Sequence, residues 1–252
     1  MTATTTADNI KPATSQKFQP SFYFWMTLLM AFFVFSGFGM TYFFPLTQGT
    51  FPPAPPVVHL HGLVFSCWMI LLVVQAYLVN VENVALHRSL GTFGIALATA
   101  VIFMGAIITL ISAANSRDNP GTGYYNGIYL GIMAVTGFGI LFTLAIRNVR
   151  TPQVHKRLIL LALLPILPPG IHRLYMVPFG LTSFPLLPMY LTLDAMALAI
   201  VIHEWRNTAR ISGYTIVGCA WLLMQQLLHY PATHSQWFAD FLYALTGMVR
   251  YR

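Results

Sequence analysis

Eight histidines stand in a chain that has only six acidic residues, and neutral imidazole is a common ligand of haem iron and of transition metals. Two of them, His59 and His61, are separated by one residue. On an α-helix this spacing is a rotation of about 200°, so both cannot face the interior of a helical bundle. His61 is the better ligand candidate because it shares a helical face with Phe65 and Trp68. The alternative is that both are interfacial histidines hydrogen-bonded to loop carbonyls.

An unusual segment runs from Leu164 to Arg173 and contains three prolines and a glycine within six residues, followed by His172. Each proline removes a backbone donor and crowds the carbonyl one turn earlier, so a helix should break or bend strongly here. Freed carbonyls at membrane depth must face protein or a wet cavity, and broken helices often frame binding sites in transporters. The segment therefore predicts either a binding site beside His172 or a bend that only shapes the bundle.

Asp194 stands near the middle of an apolar run that has no basic residue close to it. A carboxylate at that depth should be paired, protonated or exposed to a water-filled cavity. The candidate partners are Arg173, His172 and Gln225. We expect an ion pair with Arg173, because an unpaired carboxylate buried in the membrane is strongly unfavourable.

Gln225 and His229 are one turn apart on a later apolar run and share a helical face. They could complete a single polar pocket with the residues above. The cofactor in such a pocket would be haem b or a transition metal, and the remaining polar groups would hold a substrate or an ion. The candidate cofactor ligands are His61, His172 and His229, and the candidate substrate or ion residues are Asp194, Arg173 and Gln225.

The other histidines stand in basic clusters at the ends of apolar runs: His87-Arg88, His155-Lys156-Arg157 and His203-Glu204-Trp205-Arg206. Clusters at such positions usually mark membrane topology and contact lipid head groups. We therefore interpret them as topology signals.

The elements that must position these residues are apolar helices. The chain is 57% hydrophobic and 8% charged, whereas about a quarter of the residues of a soluble domain are charged. Runs of roughly 18 or more apolar residues recur, each long enough to cross the ~30 Å hydrocarbon core as a helix, and they lack the alternation of barrel strands. The predicted fold is all-α, a polytopic membrane bundle of about seven transmembrane helices. The predicted spans are Ser21 to Phe44, Val57 to Val79, Ser89 to Ala113, Tyr125 to Ile146, Leu158 to Met176, Pro185 to His203 and Ile211 to Leu228.

No linker divides the chain, so residues 21–228 form one bundle between a polar cytoplasmic tail, 1–20, and an external interfacial tail, 229–252. In the second tail, Trp237, Phe241 and Leu245 lie on one helical stripe. This pattern predicts an amphipathic helix, which either lies in the membrane interface or caps the bundle.

The positions of Lys and Arg predict the orientation. With the amino terminus in the cytoplasm, nine of the thirteen basic residues fall on the inner side, as the positive-inside rule expects. The carboxyl terminus is then outside a bacterial cytoplasmic (inner) membrane. The net charge of +7 is explained by this topology and by contact with anionic lipid. The expected partners are thus the lipid bilayer and other subunits of a membrane complex, and no nucleic acid.

Three short motifs occur in the order HLHGLVFSCW from His59, LHRSLG from Leu86 and HKRL from His155. Together they resemble a family of bacterial seven-helix membrane proteins that has no established activity, and the resemblance extends over most of the membrane region. A looser likeness is to membrane b-type cytochromes, which place histidines at two levels of a bundle to hold haem. This likeness rests on His155 and His172, which are 17 residues and so about 25 Å apart on a regular helix. The prolines between them distort that spacing.

Three functions follow as hypotheses. The first is a redox or metal-dependent membrane protein in which buried histidines bind haem b or a transition metal. The second is a transporter or small-molecule binder that uses the broken fifth span and Asp194, and the third is a structural or assembly subunit. No span carries a lysine suited to retinal, and no Walker, HExxH or GxSxG motif is present, which disfavours rhodopsin-like photochemistry, nucleotide hydrolysis and the commonest protease mechanisms. Whether the protein is an enzyme is left open.

Overall fold

The computed structural model describes residues 19–116 and 124–247. Within these ranges the regular structure is helical, and no strand is found, so the predicted all-α class is confirmed. Most of the predicted tail 1–20 and the end of the tail 229–252 lie outside the described residues. The helices are α1 (Phe22–Phe38), α2 (Phe44–Thr47), α3 (Pro56–Asn80), α4 (Val84–Ser116), α5 (Tyr124–Arg147), α6 (Pro152–Leu163), α7 (Pro168–Phe179), α8 (Leu186–Thr208), α9 (Gly213–Leu227), α10 (His229–Thr233) and α11 (Gln236–Gly247).

Several helix ends have clear local causes. Ser21 precedes α1 and its hydroxyl accepts a hydrogen bond from the Phe24 amide, and Ser212 caps α9 by accepting one from the Thr215 amide. Helix α7 ends at Phe179, and the next residue, Gly180, has a left-handed φ of 59° that suits a glycine C-cap. Between α1 and α2 the chain continues through one π-helical turn, Gly39–Phe43.

Five helical segments are long and apolar enough to cross a membrane, and the bent pair α6 and α7 would be a sixth if it is one span. The predicted seventh span corresponds to α9, which has 15 residues and is about 22 Å long. It is therefore shorter than the ~30 Å hydrocarbon core. The number seven stays a prediction. The five segments are Phe22–Thr47, Pro56–Asn80, Val84–Asn115, Tyr125–Arg147 and Leu186–Thr208.

The predicted break in the fifth span is confirmed. Helix α6 ends at Leu163, a 3-10 turn covers Leu164–Ile166, and α7 starts at Pro168. The two helices are bent by 49° relative to each other. The prolines at the start of α7 occupy positions where the helix needs no backbone donor. The break therefore removes few backbone hydrogen bonds from α7, and it changes the direction of the chain.

Helix α6 lies at the centre of the bundle. Leu158, Leu160, Leu161, Leu163 and Leu164 are each at most 1% exposed, because α1, α5 and α9 pack around the helix. From Leu158 to Leu163 the helix is apolar on all sides, and such a segment is expected to be buried in this way.

Helix α7 packs against α1 through two glycines. A β carbon at Gly37 would overlap the carbonyl oxygen of Gly170, and a β carbon at Gly170 would lie 2.9 Å from the carbonyl oxygen of Phe33. The backbones of the two helices are therefore in direct contact, as small residues permit in helical bundles. This contact positions the following residues of α7, including His172, beside α1.

The predicted amphipathic helix near the carboxyl terminus is α11. Its buried side chains are Phe238, Leu242 and Thr246, and Phe238 packs against Tyr129 of α5 with ring centroids 6.2 Å apart. Trp237 and Phe241 are exposed. The stripe that faces the bundle is thus one residue further along than the Trp237, Phe241 and Leu245 stripe seen in the sequence.

Candidate functional site

A cavity of about 430 Å³ lies among α1, α3, α4, α5 and α7. Its polar lining includes His61 from α3 and His172 and Arg173 from α7. The rest is mainly apolar and includes glycines on three helices: Gly62, Gly105, Gly127 and Gly131. Of these four, only Gly127 has no atom within 4 Å of where a β carbon would lie. We refer to this space as the His61–His172 cavity.

His61 lines this cavity, whereas His59 does not. The His61 ring packs on Phe65 with centroids 4.2 Å apart, and its Nδ1 atom is buried without a hydrogen-bond partner among the described residues. The Nδ1 atom of His59 is instead hydrogen-bonded to the Tyr42 hydroxyl at 2.9 Å. The preference for His61, based on helical rotation, thus agrees with its place in the structure.

His172 is held in a defined orientation. Its Nδ1 atom lies 3.0 Å from the carbonyl oxygen of Pro168. Since a carbonyl can only accept, Nδ1 carries the proton and donates, and a neutral ring then keeps its lone pair on Nε2. The ring also stacks on Phe184 with centroids 4.8 Å apart. A hydrogen bond from one ring nitrogen to a carbonyl, with the other nitrogen left to bind, is the arrangement commonly found for histidines that bind metals.

Arg173 does not pair with Asp194, so that prediction is wrong. Its Nη1 atom donates to the Pro169 carbonyl at 2.6 Å, and its guanidinium lies 4.5 Å from the centre of the Phe38 ring. The bend before α7 and the close α1 contact turn Arg173 toward α1 and away from α8.

Asp194 accepts a hydrogen bond of 2.7 Å from Gln226 on the neighbouring helix α9. The predicted partners Arg173, His172 and Gln225 do not make this bond. One residue on a helix is a rotation of about 100°, which is why Gln226 reaches the carboxylate and Gln225 does not. Asp194 lines neither of the two cavities described in this section.

Gln225 and His229 are both buried but belong to a different cluster. The two ring nitrogens of His229 are hydrogen-bonded to the Tyr190 hydroxyl and to Asn126 Oδ1 at 2.9 Å. Tyr129 donates to the backbone carbonyl of Gln225 at 2.9 Å. Both imidazole nitrogens of His229 are thus occupied, and neither His229 nor Gln225 lines the His61–His172 cavity. The predicted single pocket is therefore divided.

A second cavity, of about 770 Å³, is lined by two of the three histidines that were interpreted as topology signals. His87, His155 and Lys156 line it, together with residues at the ends of α3 and α6. The Nδ1 atom of His155 lies 2.9 Å from the Ala145 carbonyl, and so it donates as in His172. Lys156 Nζ lies 4.2 Å from the centre of the Tyr23 ring. We refer to this space as the His87–His155 cavity.

Trp68 lines both cavities. Its side chain is 2% exposed and packs edge-on against Phe138 and Phe142, with centroids 5.5 Å away in each case. The two cavities are therefore neighbours that share one indole side chain.

A buried ion pair near the His87–His155 cavity was missed in the sequence. Arg157 Nη1 lies 2.9 Å from Glu204 Oε1, Thr215 donates to the other carboxylate oxygen at 2.5 Å, and the Ser212 amide donates at 3.0 Å. The scarcity of acidic residues was a signal that could have drawn attention to Glu204. The pair joins α6 to α8 and to the start of α9.

Metal-ion sites of the usual kind are not apparent in the part of the chain that the structure describes. No group of three or more His, Cys, Asp and Glu side chains is placed there to hold a metal ion. The donor set of the His61–His172 cavity is instead a pair of imidazoles from two helices.

A scan against protein-family models finds no match, and no curated protein sequence and no solved structure matches the chain.

Proposed function

We propose that this protein is an integral membrane redox protein that binds haem b in the His61–His172 cavity. The observation that carries the proposal is that His61 and His172, from different helices, line one apolar cavity, with the Nδ1 proton of His172 already bound to a carbonyl. Haem would supply four ligand nitrogens of its own to the iron, and His61 and His172 would supply the other two. Two protein ligands are therefore sufficient where a metal ion would need three or more.

The cavity fits such a group in three respects. Its volume of about 430 Å³ lies within the range of about 300–1,000 Å³ typical of cofactor sites. Its walls are mainly apolar and contain glycines. Arg173 offers a cation at the wall, and no carboxylate among the described residues pairs with it, so its remaining donors can hold a carboxylate of the cofactor.

The roles of the protein groups follow from their contacts. The Pro168 carbonyl fixes the ring of His172 and raises its basicity as a ligand, and the stacked Phe184 limits its rotation. Haem, when bound, would supply one-electron chemistry. The apolar lining excludes water and thereby affects the reduction potential.

The proposal includes seven membrane crossings in a bacterial cytoplasmic membrane, with the amino terminus inside. The five long apolar segments and the bent pair support six of these crossings, α9 would be the seventh, and the distribution of Lys and Arg supports the orientation. The transporter hypothesis has less support, because Asp194 is hydrogen-bonded to Gln226 and lines neither cavity.

An absorption spectrum of the purified full chain tests the proposal. We expect a Soret band and a pyridine haemochrome of the b type. His61→Ala and His172→Ala should each lower the haem content at least about tenfold, since loss of one axial imidazole removes a bond that the apolar walls cannot replace.

His59→Ala and His234→Ala are the matched controls, because neither residue lines the cavity, and both should keep the wild-type haem content. Size-exclusion chromatography of each variant separates loss of haem from loss of folding. A wild-type protein without a Soret band, or equal haem content in the His61 and His59 variants, would reject the proposal.

A further inference from the structure

The His87–His155 cavity has the features of a second ligand site. Its volume is about 770 Å³, again within the range of small-molecule sites. Aromatic and aliphatic side chains form most of its wall. Residues where α3 ends and α6 begins also line it, among them Asn80 and Pro152, together with Ser21.

Three polar groups in this wall lack partners among the described residues. They are Trp68 Nε1, Gln75 Oε1 and His87 Nδ1, all of them buried. An unpaired polar group in an apolar setting is costly, so each such group in a folded protein calls for an explanation. All three atoms are buried, so a ligand in the cavity would give them partners once these side chains turn toward it.

The polar groups in the wall of the His87–His155 cavity include both hydrogen-bond donors and hydrogen-bond acceptors. The indole of Trp68 can only donate, the oxygen of Gln75 can only accept, and the Nε2 lone pair of His155 can accept because Nδ1 donates to Ala145. Lys156 adds a further donor at the wall. A fatty acid anion, a haem or an oxidised quinone presents acceptors almost exclusively. A hydroxyl group on an apolar ring both donates and accepts.

We infer that the His87–His155 cavity binds a quinol, a flat ring with two hydroxyl groups and an apolar tail. One hydroxyl donates to His155 or Gln75 and the other accepts from Trp68 or Lys156, while the ring lies among Phe24, Phe142 and the other apolar wall residues. The inference goes beyond the proposed function and does not require haem. Because Trp68 belongs to both cavities, it also places the quinol next to the His61–His172 cavity.

Gly91 provides a variant that blocks the cavity and keeps every polar group. A β carbon at Gly91 would have Gln75 Nε2 as its nearest neighbour, at 3.9 Å, so a larger side chain can enter the cavity without a clash with the backbone. Gly213→Leu is the matched control, since no atom lies within 4 Å of a β carbon there and Gly213 does not line the cavity.

The test uses the full chain in lipid nanodiscs, with decylubiquinol kept reduced under argon as the probe and the shift in Tm as the signal. We expect saturable binding of the quinol. Decylubiquinone should bind about tenfold more weakly, because it cannot donate to the buried acceptors. Gly91→Leu and His155→Ala should raise the Kd for the quinol about tenfold or more, and Gly213→Leu and His234→Ala should leave it unchanged.

Equal stabilisation by quinol and quinone, unaffected by Gly91→Leu, would indicate partition into lipid and overturn the inference. Two haem groups per chain, one of which is lost in His155→Ala, would also overturn it, because the cavity would then hold a haem. Absence of haem with saturable, Gly91-dependent quinol binding would reject the proposed function alone.

Discussion

At the scale of single residues, the role of a polar side chain depends more on its contacts than on which amino acid it belongs to. Four histidines illustrate this. His59 and His229 have ring nitrogens hydrogen-bonded to tyrosines, whereas His61 and His172 lie in the wall of a cavity. His61 and His172 are the pair placed to bind a cofactor in that cavity, because His59 does not line it and both ring nitrogens of His229 are already hydrogen-bonded.

The buried ion pair leads to a prediction at this scale. Glu204→Gln should lower the free energy of unfolding by about 3–5 kcal/mol, because it leaves Arg157 as a buried charge without a counter-ion. Asp240→Asn is the control, since Asp240 is exposed and, among the described residues, is hydrogen-bonded to Gln236 alone, and it should change stability by less than about 0.5 kcal/mol. Thermal unfolding in detergent measures both. Equal melting temperatures for the two variants would contradict this account of Glu204.

At the scale of helices, the break after α6 and the contact of α7 with α1 position the candidate site. The prolines redirect the chain by 49°, and Gly37 and Gly170 allow α7 to approach α1 backbone to backbone. His172 and Arg173 consequently face the space between α1 and α3. Without the break, His172 and Arg173 would lie on one straight helix that continues along the axis of α6.

Gly37→Ala tests this positioning. Its β carbon would overlap the Gly170 carbonyl oxygen, so α1 and α7 must separate, and we expect a loss of about 1–3 kcal/mol in stability. Gly39→Ala is the control, because no atom lies within 4 Å of a β carbon at that position. Chemical unfolding of the two variants, side by side, measures the difference. A stable Gly37→Ala protein would show that the backbone contact is not essential to the bundle.

At the scale of the whole molecule, the number of membrane crossings depends on α9. Its 15 residues span about 22 Å, which suffices only if the bilayer thins locally or if α10 continues the crossing. An odd number of crossings places the two ends of the chain on opposite sides of the membrane, and an even number places them on the same side.

Reporter fusions after Lys17 and after Arg252 test the orientation. We expect a cytoplasmic signal from the first and an external signal from the second, since the basic residues concentrate on the predicted inner side. Alkaline phosphatase activity and green fluorescent protein fluorescence report the two sides independently. Matching signals at both positions would mean that α9 or the bent pair does not cross.

The sequence by itself determined the helical class, the break at the prolines and the preference for His61 over His59. These features depend on composition and on rotation along one helix, both of which are local. The partner of Asp194, the division of the expected pocket, the pairing of Arg157 with Glu204 and the place of His87 and His155 in a cavity wall were decided only by the tertiary structure. Such contacts depend on how each helix is rotated against its neighbours, and that rotation is set by the packing of all helices together.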